Sequence, residues 1–287
     1  MNTHPSRAVV KFGGEVVARA QELLHLVADV ATLCAAGWRV VICHGGGPQA
    51  SALQERLAIP TRKVGGRRVT DVATLQIMKQ VLAGEVSVDV CAAAAAVGLR
   101  AVGISGVSAG LVTAVRRPPK RVSGGGPEPV DFGLVGDIVE IRTELVEQLW
   151  AGGFVPVVNS LGIAAAAEAS SPCEVYNINA DTVAAALASA LAVDHLFLVT
   201  DVPGVLRDRD DPGSRIPRLT ASAARAAIAD GTIVGGMIPK VEEALDNLAR
   251  GIGAVHIVGV GSGVLQQAAT QPGARGTVLV ADGDMPS

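Results

Sequence analysis

Residues 40–51 read VVICHGGGPQAS, and this stretch decides the fold because it passes from a strand-forming run through a glycine-rich turn into a helix-like segment. Glycine lets backbone N–H groups approach a ligand closely, and the start of a helix adds unpaired donors and positive partial charge. A single glycine here would indicate an ordinary tight β–α turn. Three glycines between His44 and Pro48, a proline suited to the first helical turn, favour an anion site.

Short apolar runs alternate with amphipathic or alanine-rich helical patterns along the 287 residues. This alternation predicts an α/β fold of three layers, an αβα sandwich with an open, mainly parallel sheet between helices. Aromatic residues make up 2% of the chain against 49% for all hydrophobic residues, which fits helices packed closely on a parallel sheet through small aliphatic side chains. The predicted strands are 8–12, 39–43, 100–103, 155–158, 196–200, 255–258 and 277–280.

Helix signals predict where the intervening segments begin and end. Thr70 is predicted to cap a helix that runs to about residue 83, and Asp181 to open one that reaches about residue 192. Another helix is predicted over 236–249, with Gly251 in the usual terminating position. Residues 111–140 interrupt the pattern, because they are rich in Arg, Pro and Gly and have β-like ends. They predict a β-hairpin or a short antiparallel excursion around a flexible tip.

Composition excludes several classes of function. A net charge of −3 provides no field for holding nucleic acid or an acidic membrane. No apolar run is long enough and free enough of charge to predict a membrane span. The four cysteines and five histidines show no metal-binding spacing, which argues against a metal site or a disulfide framework and favours a reducing compartment. We therefore expect a cytoplasmic protein without nucleic-acid or membrane partners.

Two lysines stand where a bound anion explains them better than a solvated surface does. Lys11 lies at the end of the first predicted strand, before Gly13 and Gly14, and ligands of parallel sheets bind outside the carboxyl ends of the strands. A lysine that interrupts a buried strand is costly without a partner. Lys240 lies in the first turn of a predicted helix, where the macrodipole disfavours a cation. An anion that uses both the lysine and the helix dipole removes this conflict.

Two other motifs place polar groups beside glycines. GGRRVTD, residues 65–71, puts Arg68 where it can clamp a carboxylate bidentately, although solvated arginines are equally common in such turns. LVTDVPGVL, residues 198–206, is a buried strand followed by Thr200, Asp201 and a Pro-Gly turn. This second motif is typical of a ligand-facing strand end.

YNINAD, residues 176–181, concentrates polar side chains before an apolar helix. Asn177, Asn179 and Asp181 alternate, so an extended segment would point all three to one face. A plain helix cap is the simpler interpretation of Asp181 alone. The two preceding asparagines favour a binding site.

Fixed lysines and glycine-rich turns, without an evident nucleophile or general base, suit phosphoryl transfer, which depends on positioning and charge stabilisation. A carboxylate acceptor would need no base, because an unperturbed Glu pKa of about 4.3 leaves it ionised near neutrality. The GVGSG motif at 259–263 lacks the full dinucleotide spacing, and no GxxxxGK[ST] loop occurs. A nicotinamide dehydrogenase is therefore a weaker alternative.

The motifs VVKFGG, VICHGGGPQAS, GGRRVTD, FVPVVNSLG, YNINADTVAAA, LVTDVPGVL and GGMIPKVEEAL occur in the order found in the amino-acid kinase family. The chain most closely resembles the members that phosphorylate N-acetyl-L-glutamate in arginine biosynthesis. The resemblance spans nearly the whole chain and implies a carbamate kinase-like sandwich that uses ATP with Mg²⁺. It also implies an N-terminal lobe over 1–173, which binds the acyl-amino acid and dimerises, and a C-terminal ATP lobe over 174–287. The boundary is predicted within 164–173.

The resemblance assigns roles to the motif residues. Lys11 and Lys240 would stabilise the charge of the transferring phosphoryl group, and Asp181 would orient both lysines. The residues implied to bind N-acetyl-L-glutamate are Gly46, Gly47, Arg68, Asn177 and Asn179. Those implied to line the nucleotide site are Gly13, Gly14, Asp201, Val202, Pro203, Gly204, Val205 and Leu206. No protein ligand to a metal is implied.

The chain also departs from the family pattern. Val107 and Ser108 stand where the family often has a lysine–aspartate pair. The tail before Ala8 is too short for a stable helix of its own, which predicts a homodimer with weak or no inhibition by arginine.

One alternative is a sister kinase of lysine biosynthesis that acts on carrier-bound aminoadipate or glutamate, with the basic residues 116–121 docking an acidic carrier. A non-catalytic amino-acid sensor on the same fold is the other.

Overall fold

The computed structural model describes residues 5–122, 126–166, 173–208 and 210–283. Its strands are β1 (Arg7–Phe12), β2 (Arg39–His44), β3 (Lys63–Val64), β4 (Arg67–Arg68), β5 (Ala101–Ser105), β6 (Val112–Arg116), β7 (Gly136–Ile141), β8 (Val155–Asn159), β9 (Leu161–Ala164), β10 (Val175–Asn177), β11 (His195–Val199), β12 (Arg218–Thr220), β13 (Ala254–Val258) and β14 (Thr277–Val280). Its helices are α1 (Gly14–Val17), α2 (Ala20–Ala35), α3 (Gly47–Arg56), α4 (Val72–Gln80), α5 (Ser87–Ala96), α6 (Glu144–Ala151), α7 (Ala180–Ala190), α8 (Ala221–Ala229), α9 (Met237–Ala249) and α10 (Val264–Thr270). A π-helical turn over residues 81–86 joins α4 to α5.

Eight strands form the central sheet, in the order β12-β14-β13-β11-β1-β2-β8-β5. Neighbouring strands are parallel except for β13 and β14, which pair antiparallel. The seven strands predicted from apolar runs all belong to this sheet. The eighth, β12, is an edge strand of three residues. The prediction of an open, mainly parallel sheet is confirmed.

Helices cover both faces of this sheet. Successive side chains of β1 enter different hydrophobic clusters, with Val9 on one face and Val10 and Phe12 on the other. The cluster around Val9 includes buried residues of α6, α7, α8 and α9, and the opposite cluster includes those of α2, α4, α5 and α10. Strands buried on both faces are apolar throughout, which explains why they were recognisable in the sequence. The predicted three-layer sandwich is confirmed.

A second sheet lies beside the first and has the order β10-β9-β6-β7. Its β6 and β7 pair antiparallel, so the hairpin predicted within 111–140 is confirmed at its base. The short strands β9 and β10 complete the sheet and were not predicted. Thr70 joins this sheet to the start of α4, because its N–H donates to Phe132 O at 2.9 Å and its carbonyl accepts from Leu134 N at 2.7 Å.

The central sheet continues across the predicted boundary between lobes. Lys11 of β1 is the register partner of Leu198 of β11, although these strands belong to different predicted lobes. Residues 167–172 of the predicted boundary segment lie outside the described residues. The division into two functional lobes therefore stays a prediction.

Two predicted helix caps are wrong, and in both cases a neighbouring side chain has the better geometry. Asp71, rather than Thr70, caps α4 by accepting a hydrogen bond from Thr74 N at 2.7 Å. Asn179, rather than Asp181, caps α7. The ending of α9 before Gly251, with φ of +90°, is as predicted. Among the described residues, no helix combines the length and the apolarity that crossing a membrane requires.

Histidines are buried inside the sheet without charge. The His256 ring of β13 is fully buried, with its centroid 4.4 Å from that of Phe197 and its Nε2 3.0 Å from His195 Nδ1. Burial, and then the charge of His195, lower the pKa of His256 well below its ordinary value. Burial also lowers the pKa of His44 to about 4. At a pH somewhat below 6.5, the folded state thus keeps both rings neutral, whereas the unfolded chain would protonate them.

We expect the free energy of unfolding to fall as the pH drops below about 6.5, because the unfolded chain then binds protons that the folded state excludes. Each such histidine contributes about 1.4 kcal/mol per pH unit until its own folded pKa is reached. His256→Phe should remove one of these contributions, which urea unfolding at about pH 7.5 and 5.5 measures. An identical pH dependence in the variant and the wild type would contradict this account.

Candidate active site

Lys11, the penultimate residue of the central strand β1, has an ammonium group that is paired with a carboxylate. Lys11 lies between Cys43 of β2 and Leu198 of β11 in the sheet register, and its side chain is 16% exposed. Its Nζ forms an ion pair with the Asp181 carboxylate. Burial by itself lowers the pKa of Lys11, but the charge of Asp181 and the hydrogen bond to it contribute in the opposite direction, and the net pKa is raised. Lys11 is therefore a largely buried cation stabilised chiefly by one carboxylate.

Asp181 is available to Lys11 because another residue caps α7. Asn179 Oδ1 accepts a hydrogen bond from the backbone N–H of Asp181 at 2.8 Å. Asp181 is the second residue of α7, where the helix dipole favours a negative charge. Its carboxylate is thus held next to Lys11 rather than used to cap its own helix.

Lys240 of α9 faces the same space as Lys11. Its Nζ donates a hydrogen bond to Thr200 Oγ1 and lies 3.7 Å from the Asp201 carboxylate. Thr200 also donates to Asp201 Oδ1 at 2.9 Å, and this hydrogen bond, followed by the charge of Lys240, holds the pKa of Asp201 below its usual range. Asp181, which was expected to orient both lysines, forms an ion pair with Lys11, whereas Lys240 pairs with Asp201.

The two lysines line one cleft of about 280 Å³, here called the lysine cleft. Its polar wall also includes Gly13, Asp181, Thr200, Asp201 and Glu243. Of the residues predicted to line a nucleotide site, Gly13 and Asp201 therefore lie in this cleft. One ammonium group from strand β1 and one from helix α9, with bare glycine backbone nearby, suit an anion such as a phosphate chain.

The rest of the predicted nucleotide segment, Val202 to Leu206, packs against Thr277 at the start of β14. Val205 is fully buried and its N–H donates to Thr277 Oγ1 at 2.8 Å. Gly204 has φ of +142°, and a Cβ there would lie 2.8 Å from the same oxygen, so this position requires glycine. Val202 to Leu206 are not among the residues that line the two clefts described here.

A second cleft, of about 580 Å³, adjoins the first and is here called the arginine cleft. Lys11, Gly13 and Asp181 belong to the walls of both clefts, so the two spaces meet at the Lys11–Asp181 ion pair. The residues predicted to bind the acceptor all line the arginine cleft, together with Gly14: they are Gly46, Gly47, Arg68, Asn177 and Asn179.

Both asparagines of the arginine cleft also hold local structure. Asn177 Nδ2 donates to Thr70 Oγ1 at 3.1 Å, which fixes β10 against the start of α4. Asn179 caps α7 through its Oδ1. The alternation of Asn177, Asn179 and Asp181 therefore brings all three side chains to one cleft, as predicted, but each amide has a structural partner as well.

The glycine-rich turn after β2 lies against the π-helical turn. A Cβ on Gly46 would lie 3.0 Å from Leu82 Cδ2 and 3.1 Å from Val86 Cγ2, so a side chain there would force these residues apart. Helix α3 begins at Gly47, and its first N–H groups have no partner within the helix. The strand–turn–helix arrangement predicted from residues 40–51 is confirmed, and the bound anion stays a prediction.

Arg68 is held in the arginine cleft by neutral oxygen atoms. Its Nη2 donates to Gly47 O at 3.0 Å and to Ser51 Oγ at 2.8 Å, and its Nη1 donates to Gln54 Oε1. Burial lowers the pKa of Arg68. Since no carboxylate of the described residues pairs with it, the guanidinium is fixed in place with its charge uncompensated. This arrangement suits a bound carboxylate.

Further cations surround the arginine cleft. Arg117 is neutralised by Asp137, whose Oδ1 accepts from its Nε at 2.8 Å. Lys63, Arg67 and Lys120 line the cleft without an ion pair among the described residues, and we call them the basic rim. Burial, and then the charge of Arg117, lower the pKa of Lys120, as expected where cations outnumber anions. The arginine cleft therefore suits a ligand with more than one negative charge.

Glu243 and the basic rim were not predicted as site residues. A signal for Glu243 exists, because it lies three residues after Lys240 and such residues share one side of a helix. Arg67 stands next to Arg68 in the GGRRVTD motif, and the sequence pattern gave it no role of its own. The position of Lys120 depends on the second sheet, so no local pattern in the sequence indicates it.

Comparisons with known proteins place this geometry in context. The sequence profile described as the amino acid kinase family matches residues 6–259. Acetylglutamate kinase of Sorangium cellulosum is 52% identical over 273 residues, which cover 95% of this chain and 94% of that protein. Acetylglutamate kinase of Anaeromyxobacter dehalogenans (strain 2CP-1) is 51% identical over 276 residues, with 96% and 98% coverage. Carbamate kinase from Giardia lamblia shares the fold, with a TM-score of 0.68, 18% identity, and coverage of 97% of this chain and 99% of that one.

Removing Asp181 should lower the free energy of unfolding more than removing Lys11, its partner in the ion pair. Asp181→Ala leaves the largely buried ammonium of Lys11 unpaired and should cost about 3 kcal/mol of unfolding free energy. Lys11→Met should cost less, because the Asp181 side chain is 29% exposed and lies at a helix start that favours its charge. Urea unfolding of both variants and of the double variant measures this. Equal losses in the two single variants, or a double variant less stable than Asp181→Ala, would contradict it.

Proposed function

The chain belongs to the amino acid kinase family, and we propose that it transfers the γ-phosphoryl group of ATP to the side-chain carboxylate of N-acetyl-L-glutamate. The product is N-acetylglutamyl phosphate, formed in the second step of arginine biosynthesis. Relatives named acetylglutamate kinase that are 51–52% identical over nearly the whole chain support this function. The observation that carries the proposal is that two clefts meet at Lys11 and Asp181, one with a second lysine and the other with Arg68.

Lys11 and Lys240 are proposed to stabilise the charge that spreads over the phosphoryl group during transfer. This reaction depends on positioning and electrostatic stabilisation more than on covalent chemistry by the protein. The acceptor carboxylate attacks the γ-phosphorus, the bond to the oxygen shared with the β-phosphate breaks, and ADP leaves. Asp181 acts through Lys11, which it keeps protonated and in place. Because the acceptor is already ionised, no residue has to remove a proton.

N-acetyl-L-glutamate is proposed to lie in the arginine cleft with its side-chain carboxylate towards Lys11. Arg68 would bind the other carboxylate, for which its fixed and uncompensated guanidinium is suited. Backbone N–H groups of Gly46 and Gly47, with the amides of Asn177 and Asn179, would hold the acyl-amino group. The basic rim adds positive potential that favours a dianion over a zwitterionic amino acid.

ATP is proposed to bind in the lysine cleft with its phosphates between Lys11 and Lys240, near Gly13 and Gly14. From the family resemblance, the segment Asp201 to Leu206 is proposed to lie beside the nucleotide, although only Asp201 of this segment lines the lysine cleft. Within the part of the chain that the structure describes, no group of three or more His, Cys, Asp or Glu side chains is arranged to hold a metal ion. Mg²⁺ is therefore expected to enter on the ATP phosphates, whose charge it neutralises when bound.

An acceptor lobe over 1–173, an ATP lobe over 174–287 and a homodimer are proposed from the family resemblance, and a cytoplasmic location from the composition. The arrangement of the clefts is consistent with the lobes, since Arg68 lies before the predicted boundary and Lys240 after it.

The alternative functions have less support from the structure. A docking role for the basic residues 116–121 in binding an acidic carrier is weakened because Arg116 pairs with Asp131 and Arg117 with Asp137. A non-catalytic sensor would not need both lysines, and these line the same cleft.

ADP release by the purified protein with ATP and Mg²⁺ tests the function, with N-acetyl-L-glutamate, L-glutamate, L-2-aminoadipate or N-acetyl-L-glutamine as the acceptor. We expect kcat/KM for N-acetyl-L-glutamate to exceed that for the other acceptors by about a hundredfold or more, because each of them lacks a carboxylate, the acyl group or the right length. N-acetyl-L-glutamine, which lacks the side-chain carboxylate, should give no ADP above background. A protein preparation of Lys11→Ala controls for contaminating kinases. Faster ADP release with aminoadipate or glutamate would overturn the proposal.

A further inference from the structure

Glu243 is an acid in the lysine cleft to which the proposed reaction assigns no role. It follows Lys240 by three residues on α9, so both side chains lie on one side of the helix. Both residues line the cleft together with Lys11 and Asp181. The neighbouring Glu242 is exposed and is not among the residues that line this cleft.

Glu243 lacks a dedicated partner. Lys11 is paired with Asp181, and Lys240 with Asp201. Within the described ranges, the half-buried carboxyl of Glu243 forms neither a hydrogen bond nor an ion pair. An ionised Glu243 would thus add a negative charge to the cleft in which the phosphates of ATP are proposed to bind.

The charged groups around Glu243 act in both directions. Lys11 of β1 and Arg250 after α9 stabilise its ionised form, while Asp181 of α7 and Asp246 of α9 oppose it. Burial is the largest effect, and together with Asp181 it raises the pKa of Glu243 to about 7. The cleft also contains Glu15 and Arg19 of α1, and Asp201 and Lys240. Both forms of Glu243 are therefore populated near neutral pH.

A nucleoside triphosphate brings several negative charges into this cleft, and like charges at close range favour the neutral form of a carboxyl group. We propose that Glu243 takes up a proton from solvent when the triphosphate binds, and that its O–H then donates a hydrogen bond to a phosphate oxygen. The proton is added to one carboxyl oxygen, no other bond forms or breaks, and the proton returns to solvent when the cleft empties. This inference rests on the proposed function, because it requires the lysine cleft to bind a nucleotide.

Because nucleotide binding is coupled to protonation of Glu243, the affinity for the nucleotide should depend on pH. Below about pH 7 the free protein already carries the proton, so nucleotide binding is strongest there. As the pH rises through 7, binding must draw the proton from solvent, and kcat/KM for ATP should fall by up to about tenfold per pH unit. Glu243→Gln keeps the shape and the neutral state of the side chain, so this decline should be absent in that variant.

Isothermal titration calorimetry measures the proton directly. The full-length protein is titrated at about pH 7.5 with Mg²⁺ and a non-hydrolysable ATP analogue, in buffers of different ionisation enthalpy. Because Glu243 is partly ionised in the free protein at this pH, we expect the wild type to take up more protons per nucleotide than Glu243→Gln does. Protonation of the nucleotide itself is common to all proteins compared and cancels in this difference.

Glu242→Gln is the matched control, because it removes the same charge one residue away at an exposed position. It should keep the proton uptake of the wild type, and Glu243→Asp, which retains a carboxyl group, should keep most of it. Equal proton uptake by the wild type and Glu243→Gln would overturn the inference while leaving the kinase function intact. No binding of the nucleotide by the wild type would overturn both. Thermal unfolding shows whether Glu243→Gln folds. If it does not fold, the proton uptake of the wild type is compared with the number of protons that the nucleotide alone accounts for. A wild-type uptake no larger than that number would overturn the inference.

Discussion

The ion pair between Lys11 and Asp181 is the interaction on which the rest of the site depends. Strand β1 lies at the centre of an apolar sheet, between β2 and β11, and an ammonium group there is stable only with a counter-charge. Asp181 supplies that charge from the start of α7, and it is available because Asn179 caps the helix. The pair therefore ties a strand of the first half of the chain to a helix of the second half.

The same ion pair lies where the lysine cleft and the arginine cleft meet. The carboxyl ends of the parallel strands open into both clefts, and Lys11 and Asp181 stand in the wall between them. On one side Lys240 lines the lysine cleft and adds a second positive charge. On the other side Arg68 is fixed by Gly47, Ser51 and Gln54 with its charge uncompensated. In the proposed reaction, the phosphoryl group passes Lys11 as it moves from one cleft to the other.

Much of this arrangement could be predicted from the sequence, because buried parallel strands are continuous apolar runs and glycine-rich turns mark their carboxyl ends. The predicted acceptor residues all line one cleft for this reason. The predictions that failed concern either the choice between neighbouring residues or contacts between residues distant in the sequence. Thr70 and Asp181 each stand beside a residue that caps the helix better, and cap geometry cannot be read from residue type alone. The strands β9 and β10 have four and three residues, too few for a periodic signal. Glu243 shares one side of α9 with Lys240, which is a local signal, but its place beside Lys11 and Asp181 and the place of Lys120 in the basic rim depend on groups distant in the sequence.

A double-mutant cycle on turnover tests the central claim that Lys11 and Asp181 act as one unit. The kcat for phosphorylation of N-acetyl-L-glutamate is measured for Lys11→Ala, Asp181→Ala and the double variant, with circular dichroism to confirm folding. Loss of one oriented charge should lower kcat by about 10²- to 10³-fold. The double variant should be no slower than the slower single variant, since Asp181 acts through Lys11. Losses that multiply in the double variant, or near-normal turnover of Lys11→Ala, would contradict the account.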